Sequence, residues 1–158
     1  MKKTDAGSVP RRKCSTGPDR CKPKSAAVNW QSALLVALGG AIGSVARWAS
    51  VFLVGQWVGI TYPWGTLSVN VVGSFLIGVI GALARTASLG VTPDVRLFLV
   101  TGVLGGFTTF SSFSFELLAL VQKAALGPAL AYALGSVAIG LAAAWAGFAC
   151  ARLLTGAS

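Results

Sequence analysis

Four long apolar segments follow one another along the chain, and few charged residues interrupt them. The segments extend from about 30 to 58, 65 to 85, 95 to 122 and 127 to 153. A helix needs about 20 apolar residues to cross a bilayer, and each segment reaches that length. The pattern therefore predicts four transmembrane helices, and the short connections predict that each helix is antiparallel to the next.

Small residues recur within these segments at helical spacing. Gly39, Gly40 and Gly43 share one face of the first segment, and the second and fourth segments also carry repeated glycines and alanines. Lipid provides no hydrophobic force between helices, so helix packing depends on close backbone approach. The sequence thus favours a compact four-helix bundle. An aromatic belt is predicted at the membrane interfaces, formed by Trp30, Trp57, Tyr62 and Trp64.

Composition and charge support a membrane location. Of the 158 residues, 54% are hydrophobic and 11% are charged, with a mean hydropathy of +0.74, whereas about a quarter of the residues in soluble proteins are charged. The basic residues concentrate in residues 1–28. This pattern predicts a disordered basic tail over 1–28 on the cytoplasmic side of the cell membrane, followed by a multi-pass membrane domain over 29–158. Outside the tail, Arg47 is expected near the far end of the first helix, where it either snorkels or lines a vestibule that attracts anions.

The same composition argues against several other classes of protein. The chain has no histidine, no paired carboxylates and no nucleophile beside a base, so it is not predicted to be an enzyme. Cys14, Cys21 and Cys150 are too few and too scattered for a zinc site. The tail has no aromatic residues between its basic ones, so we expect it to lie near anionic membrane lipid and to bind no nucleic acid.

Polar residues recur in the middle of two apolar segments. Thr66, Asn70 and Ser74 are four residues apart, which places them on one face of the second helix, and Tyr132 and Ser136 are four apart in the fourth. An amide or hydroxyl in mid-membrane is unfavourable unless it meets a partner or water. From spacing alone, these faces either bond to neighbouring helices or line a polar path, and Tyr132 also fits an anchor near an interface.

The stretch TGVLGGFTTFSSFSFE, residues 101–116, differs from an ordinary membrane helix. Gly105 and Gly106 weaken a helix, and the hydroxyls that follow compete for backbone hydrogen bonds. A helix break at membrane depth is tolerated only where its backbone groups meet protein, ion or water. The stretch therefore predicts a break beginning at the glycine pair, with an ion or aqueous site beside it. Phe107, Phe110 and Phe113 are predicted to lie near one face, where they form either a packing stripe or positive ring edges that suit an anion.

Three blocks of the sequence together carry a family resemblance. They are GGAIGSVARW (39–48), GTLSVNVVGSFLIG (65–78) and GGFTTFSSFSFE (105–116). In this order they resemble the signature blocks of the fluoride channels called Fluc or CrcB. The resemblance implies a passive, fluoride-selective channel that lowers cytoplasmic fluoride. It also implies a dual-topology homodimer, in which two four-helix subunits lie in opposite orientation with two pores along their interface.

The resemblance also implies roles for individual residues. Asn70 would contact fluoride through its side chain, and Phe110 and Phe113 would turn their ring edges toward the ion. The backbone carbonyls of Gly105 and Thr108 would hold a structural Na+ ion at the dimer interface. The remaining residues expected along the pore are Arg47 in the vestibule, the polar residues Ser111, Ser112, Tyr132 and Ser136, and Glu116 as the acidic residue after the phenylalanines.

The basic tail departs from the family pattern, because dual topology requires almost no charge bias. Either this subunit has a fixed orientation and pairs with an inverted paralogue, or translation begins near Val28. The main alternative function is that of a small multidrug-resistance-type, proton-coupled exporter, whose mechanism needs a carboxylate in the first helix. The first apolar segment carries Arg47 and no acidic residue, so the sequence favours the channel.

Overall fold

The computed structural model describes residues 29–85 and 92–156, so the predicted disorder of residues 1–28 lies outside the described residues. This described part is helical and contains no strand. Its helices are α1 (Trp30–Val58), α2 (Trp64–Leu83), α3 (residues 93–107), α4 (Phe110–Gln122) and α5 (Leu126–Thr155). Helices α3 and α4 form one span, Pro93–Gln122, which with the other three makes four described spans long and apolar enough to cross a membrane. The predicted all-helical membrane fold with a broken third helix is confirmed.

Local chemistry explains where these helices begin and end. Asn29 and Thr92 each accept a hydrogen bond from a backbone N–H in the first turn of the helix that follows. Pro93 occupies the first turn of α3, where a missing N–H has no cost. Gly59 ends α1 at φ 89° and Gly156 ends α5 at φ 62°. Glycine adopts such positive φ values without the strain that a side chain would bring.

The outer surface of the bundle is apolar. Large side chains on its exterior are strongly exposed, as in Trp145 at 73% and Leu153 at 84%. Several buried positions are occupied by small residues such as Ala82, Ala129 and Ala151. A soluble protein would bury its large apolar side chains, whereas lipid solvates them. The chain is therefore a multi-pass membrane protein, as the sequence predicts.

Glycine contacts bring α1 against α3. A Cβ on Gly43 would overlap the carbonyl oxygen of Val103, and one on Gly39 would lie 2.7 Å from the Phe98 carbonyl oxygen. From the other side, a Cβ on Gly106 would lie 2.6 Å from the Gly40 carbonyl oxygen. The predicted glycine face of the first helix thus allows backbone-to-backbone packing with the helix that leads into the break.

Helix α2 packs mainly against α5, again through glycine. A Cβ on Gly78 would overlap the Ala144 carbonyl oxygen, and one on Gly147 would overlap the Phe75 carbonyl oxygen. Gly81 has open space around its Cα, so its position in α2 has no packing role within the described chain. The bundle therefore consists of two close helix pairs, α1 with α3 and α2 with α5, and the helix break lies beside α2.

The third span changes geometry twice before the break. It starts with the α-helical Pro93–Arg96, widens to a π-helix over Leu97–Leu104, and returns to α-helix over Gly105–Phe107. Thr108 (φ −83°, ψ 157°) and Thr109 (φ −151°, ψ 120°) are extended, and α4 begins at the next residue.

The prediction that the break begins at the glycine pair was wrong, because Gly105 and Gly106 are helical. Their small size serves packing, since Gly106 lies against the backbone of α1. The two threonines that follow supply the extended residues.

Charged residues gather at one end of the bundle. The guanidinium carbons of Arg85 and Arg152 lie 5.8 Å and 5.9 Å from the centroid of the Phe148 ring. Arg96 lines a cavity of about 370 Å³ together with Ala84, at the same end. The ends of α2 and α5 and the start of α3 thus share one side of the membrane, as predicted for antiparallel helices. The assignment of that side to the cytoplasm stays a prediction.

Candidate functional site

Asn70, on α2, holds the helix break through both atoms of its amide. Its Nδ2 donates to the Thr109 carbonyl oxygen at 3.0 Å, and its Oδ1 accepts from the Thr109 N–H at 2.8 Å. These are the bonds that a neighbouring β-strand would make to one extended residue. The side chain of Asn70 therefore stabilises Thr109 in its extended conformation, 39 residues away along the chain.

Thr109 in turn starts α4. Its side-chain Oγ1 accepts from the Ser112 N–H at 3.1 Å, which is an N-cap bond of the usual kind. The same hydroxyl contacts the Oγ atoms of Ser111 at 3.2 Å and Ser112 at 3.1 Å. Thr109 is buried, with 7% of its surface exposed. Three hydroxyls thus gather at the first turn of α4, in the part of the molecule where the backbone is interrupted.

The two residues expected to bind a cation have lost their helical hydrogen-bond donors. In a continuous helix the Gly105 carbonyl would accept from the Thr109 N–H, and the Thr108 carbonyl from the Ser112 N–H. The first donor bonds to Asn70 and the second to the Thr109 hydroxyl. The break therefore redirects to other partners the two N–H donors that a continuous helix would supply to these carbonyl groups, which lie three residues apart.

Aromatic rings form a row next to the break. The centroids of Phe110 and Phe113 are 5.6 Å apart, and those of Phe113 and Tyr132 are 5.0 Å apart. Phe110 is 79% exposed on the surface of the single chain, whereas Tyr132 is 1% exposed. The row thus extends from the surface into the bundle.

Phe107 does not belong to this row, so the prediction that it shares a face with Phe110 was wrong. That prediction assumed one continuous helix, and the two extended residues reorient the chain between these phenylalanines. The Phe107 ring instead lies near Gly73, where a Cβ would be 3.5 Å from the ring.

Glu116 lies at the inner end of the row. One carboxylate oxygen accepts from the Thr66 hydroxyl at 2.7 Å, and the other accepts from the Tyr132 hydroxyl at 2.7 Å. Thr66 is 2% exposed, so this is a largely buried contact between α2, α4 and α5. Each oxygen of the carboxylate has a donor, which is how a protein accommodates such a group at membrane depth.

Ser136 lies one helical turn beyond Tyr132 on α5. Its Oγ atom is buried, and no hydrogen-bond partner for it is found among the described residues. A buried hydroxyl without a partner is unfavourable by about 1–3 kcal/mol, so its presence indicates a partner outside the protein atoms of one chain. Water or an anion would provide such a partner.

A surface groove of about 350 Å³ connects several of these features. Its walls come from α2, from α3 and from the break. The lining residues predicted from the sequence are Asn70, Gly105, Thr108 and Phe110, and Ser74 of the polar face of α2 lines it too. The extended backbone, the cation-ligand candidates and the exposed phenylalanine thus meet in one groove.

Arg47 stands apart from this arrangement. It lies on α1, and the described residues that line the groove come from α2, α3, the break and α4. Its predicted vestibule role therefore stays a prediction. Among the described residues no three His, Cys, Asp or Glu side chains lie together as metal ligands. The candidate cation ligands of this part of the chain are the backbone carbonyls of the break.

Sequence reasoning missed two residues of this site. Thr109 was only one of several hydroxyls in the stretch, and nothing local indicated that its backbone bonds to Asn70. Tyr62 was assigned to the interfacial belt, yet its ring lies 5.6 Å from that of Tyr132. Thr66 was identified from its spacing of four from Asn70, whereas its hydrogen bond to Glu116 was not predicted.

Comparisons with known proteins show what this chain is similar to. A family model described as CrcB-like protein, Camphor Resistance (CrcB), matches residues 34–148. A protein of Agrobacterium fabrum named fluoride-specific ion channel FluC is 52% identical over 124 residues, covering 76% of this chain and 95% of its own. A protein of the same name from Thermus thermophilus is 50% identical over 123 residues, covering 78% of this chain and 97% of its own. A third, from Opitutus terrae, is 51% identical over 115 residues, covering 72% of this chain and 87% of its own. With this match over most of its length, the chain belongs to the CrcB-like family.

Proposed function

We propose that this protein is a fluoride-selective ion channel that lowers cytoplasmic fluoride by passive export. The choice of fluoride as the ion is supported by the names of the relatives. The choice of a membrane channel is supported by the four spans. The observation that carries the proposal is the interruption at Thr108 and Thr109, which places backbone carbonyls, hydroxyls and exposed ring edges in one region. An uninterrupted helix would present none of its backbone there.

The side chains of the site suit a small anion that must lose its water. The hydroxyls of Ser111, Ser112 and Ser136 are donors that can replace water molecules around fluoride. The ring edges of Phe110 and Phe113 carry positive potential, which attracts an anion without the strong binding that a buried cationic side chain would cause. Conduction requires binding of this moderate strength, because an ion that is held tightly does not leave.

A second subunit completes the pathway in this proposal. Phe110 is 79% exposed and the groove beside it lies on the surface of the single chain. A neighbouring copy in the opposite orientation would cover the groove and repeat each element around a two-fold axis. The partner is either the same chain or an inverted paralogue, and the outer face of the assembly contacts membrane lipid.

The break also suits a structural Na+ ion at that two-fold axis. The carbonyls of Gly105 and Thr108 are hard oxygen ligands, and two subunits would provide four of them. Their helical donors are engaged by Asn70 and by the Thr109 hydroxyl, so the residues present fit such a group. The ion would supply a fixed positive charge that links the two breaks. The chain contributes the rigid extended backbone that presents the oxygens.

Efflux from liposomes tests the proposed function. The purified protein is reconstituted into vesicles loaded with potassium fluoride or potassium chloride, and ion release is followed with ion-selective electrodes after addition of a potassium ionophore. We expect rapid release of fluoride and retention of chloride, with salt-loaded vesicles that lack the protein as the control. Release of both ions at the same rate would contradict selectivity, and release of neither would contradict channel function.

A further inference from the structure

Tyr62 differs from the other large side chains at its end of the bundle. It lies in the loop between α1 and α2, where Ile60 is 92% exposed, and Trp57 at the end of α1 is 87% exposed. Tyr62 is half-buried, and its ring packs edge-on against Tyr132 with centroids 5.6 Å apart and planes at 76°. An aromatic residue that serves only as an interfacial anchor would point outward with its neighbours. The orientation of Tyr62 therefore indicates a role inside the bundle.

The ring of Tyr132 is held between two aromatic neighbours. Phe113 contacts it from α4 at a centroid distance of 5.0 Å, and Tyr62 contacts it from the loop. The hydroxyl of a tyrosine lies on the axis of its ring, so the ring's orientation fixes the direction of the hydrogen bond. The Tyr132 hydroxyl donates this hydrogen bond to Glu116 at 2.7 Å. The position of Tyr62 thus bears on whether the Tyr132 hydroxyl reaches Glu116.

We propose that Tyr62 is a positioning residue of the fluoride pathway, which acts by holding the Tyr132 ring in place. This inference rests on the proposed function. Tyr62 extends the aromatic row to four rings, in the order Phe110, Phe113, Tyr132 and Tyr62. Because Tyr62 comes from a loop, the α1–α2 connection becomes part of the conduction pathway.

The ring of Tyr62, and not its hydroxyl, performs this task. Within the described part of the chain, the side-chain hydrogen bonds found around Tyr132 join Glu116 to Thr66 and to the Tyr132 hydroxyl, and none involves the Tyr62 hydroxyl. A phenylalanine at this position keeps the edge contact, whereas a leucine keeps apolar volume and loses the planar ring. The two substitutions therefore separate ring geometry from simple filling of space.

The experiment measures fluoride efflux from vesicles for Tyr62→Leu, Tyr62→Phe, Tyr132→Phe and the double variant Tyr62→Leu/Tyr132→Phe. We expect Tyr62→Leu to slow efflux about two- to tenfold, which is the population ratio that corresponds to the loss of one aromatic pair. Tyr62→Phe is expected to match the unmodified protein. The double variant is expected to be no slower than Tyr132→Phe alone, because Tyr62 acts through the hydroxyl that the second substitution removes.

Ile60→Ala is the matched control from the same loop and is expected to leave efflux unchanged. Size-exclusion chromatography checks that each variant is monodisperse, and Tyr62→Met replaces Tyr62→Leu should the latter not fold. The inference is overturned by normal efflux in Tyr62→Leu, by slow efflux in Tyr62→Phe, or by effects that add fully in the double variant. No efflux from the unmodified protein would overturn the proposed function as well, so the two failures are distinguishable.

Discussion

Replacing Asn70 with aspartate tests the link between α2 and the break. Asn70 both donates to and accepts from the Thr109 backbone, at 3.0 Å and 2.8 Å. An ionised aspartate keeps the acceptor and loses the donor, so a carboxylate oxygen then faces the Thr109 carbonyl. Leaving that carbonyl without a partner costs about 1–3 kcal/mol, before any repulsion between the two oxygens. Since a free-energy change of 1.4 kcal/mol alters an equilibrium constant tenfold, the population with an intact break would fall by about five- to a hundredfold.

We therefore expect Asn70→Asp to slow fluoride efflux from vesicles at least about fivefold, the lower end of the range set by one lost buried hydrogen bond. Ser68→Ala is the matched control, because the Ser68 hydroxyl bonds only to the Trp64 carbonyl of its own helix. This control is expected to conduct as the unmodified protein does. Both variants are expected to fold, since the glycine contacts between the helices are unchanged. Normal efflux in Asn70→Asp would show that the break does not depend on Asn70.

Four further substitutions separate conduction from stability. Phe110→Ile removes the exposed ring edge, so fluoride efflux should fall sharply with assembly unchanged; efflux at the normal rate would place the pathway elsewhere. Gly43→Ala should lower thermal stability, by an amount equivalent to about 1–3 kcal/mol, because its Cβ would overlap a backbone carbonyl of α3. Gly135→Ala, on an open part of α5, should leave stability unchanged, and equal melting temperatures for the two would contradict the packing argument. Ser136→Ala removes a buried hydroxyl without a partner, so stability should hold or rise while fluoride efflux slows; a less stable protein would mean that the hydroxyl has a structural partner.

The overall architecture could be predicted from the sequence because the membrane limits the choices. Apolar length fixes the number of spans, and short loops fix their alternating direction. The role of Gly39 and Gly43 in packing α1 was also predictable, since lipid leaves close approach as the main means of helix association, whereas a Cβ on Gly40 would meet open space. The π-helical segment Leu97–Leu104 was not predicted, because its residues have the same apolar character as an ordinary span.

The position of the break was predicted two to three residues too early. Glycine is the residue that most weakens an isolated helix, so local propensity favours a break at Gly105 and Gly106. Tertiary structure reverses this preference. Gly106 is needed as a helical contact to α1, and the extended conformation of Thr109 is stabilised by an amide on another helix. Propensity scales contain neither interaction.

The pathway was predictable where helical spacing carries the signal, and not where a loop contributes. Thr66 and Asn70 share a face of α2, and the structure shows both reaching the third span. Tyr132 was left open between an interfacial anchor and a polar path, and its buried bond to Glu116 excludes the anchor. The contact of Tyr62 with Tyr132 was not predicted, because a tyrosine beside a proline at a span end has the same local pattern whether its ring points inward or outward.

An experimental structure of the assembled protein in sodium fluoride tests the central claim most directly. We expect two subunits of opposite orientation, with Thr108 and Thr109 extended and a cation held by the carbonyls of Gly105 and Thr108 from both chains. Fluoride is expected beside the ring edge of Phe110. A continuous helix through residues 105–112, with Phe110 directed into lipid, would contradict the account.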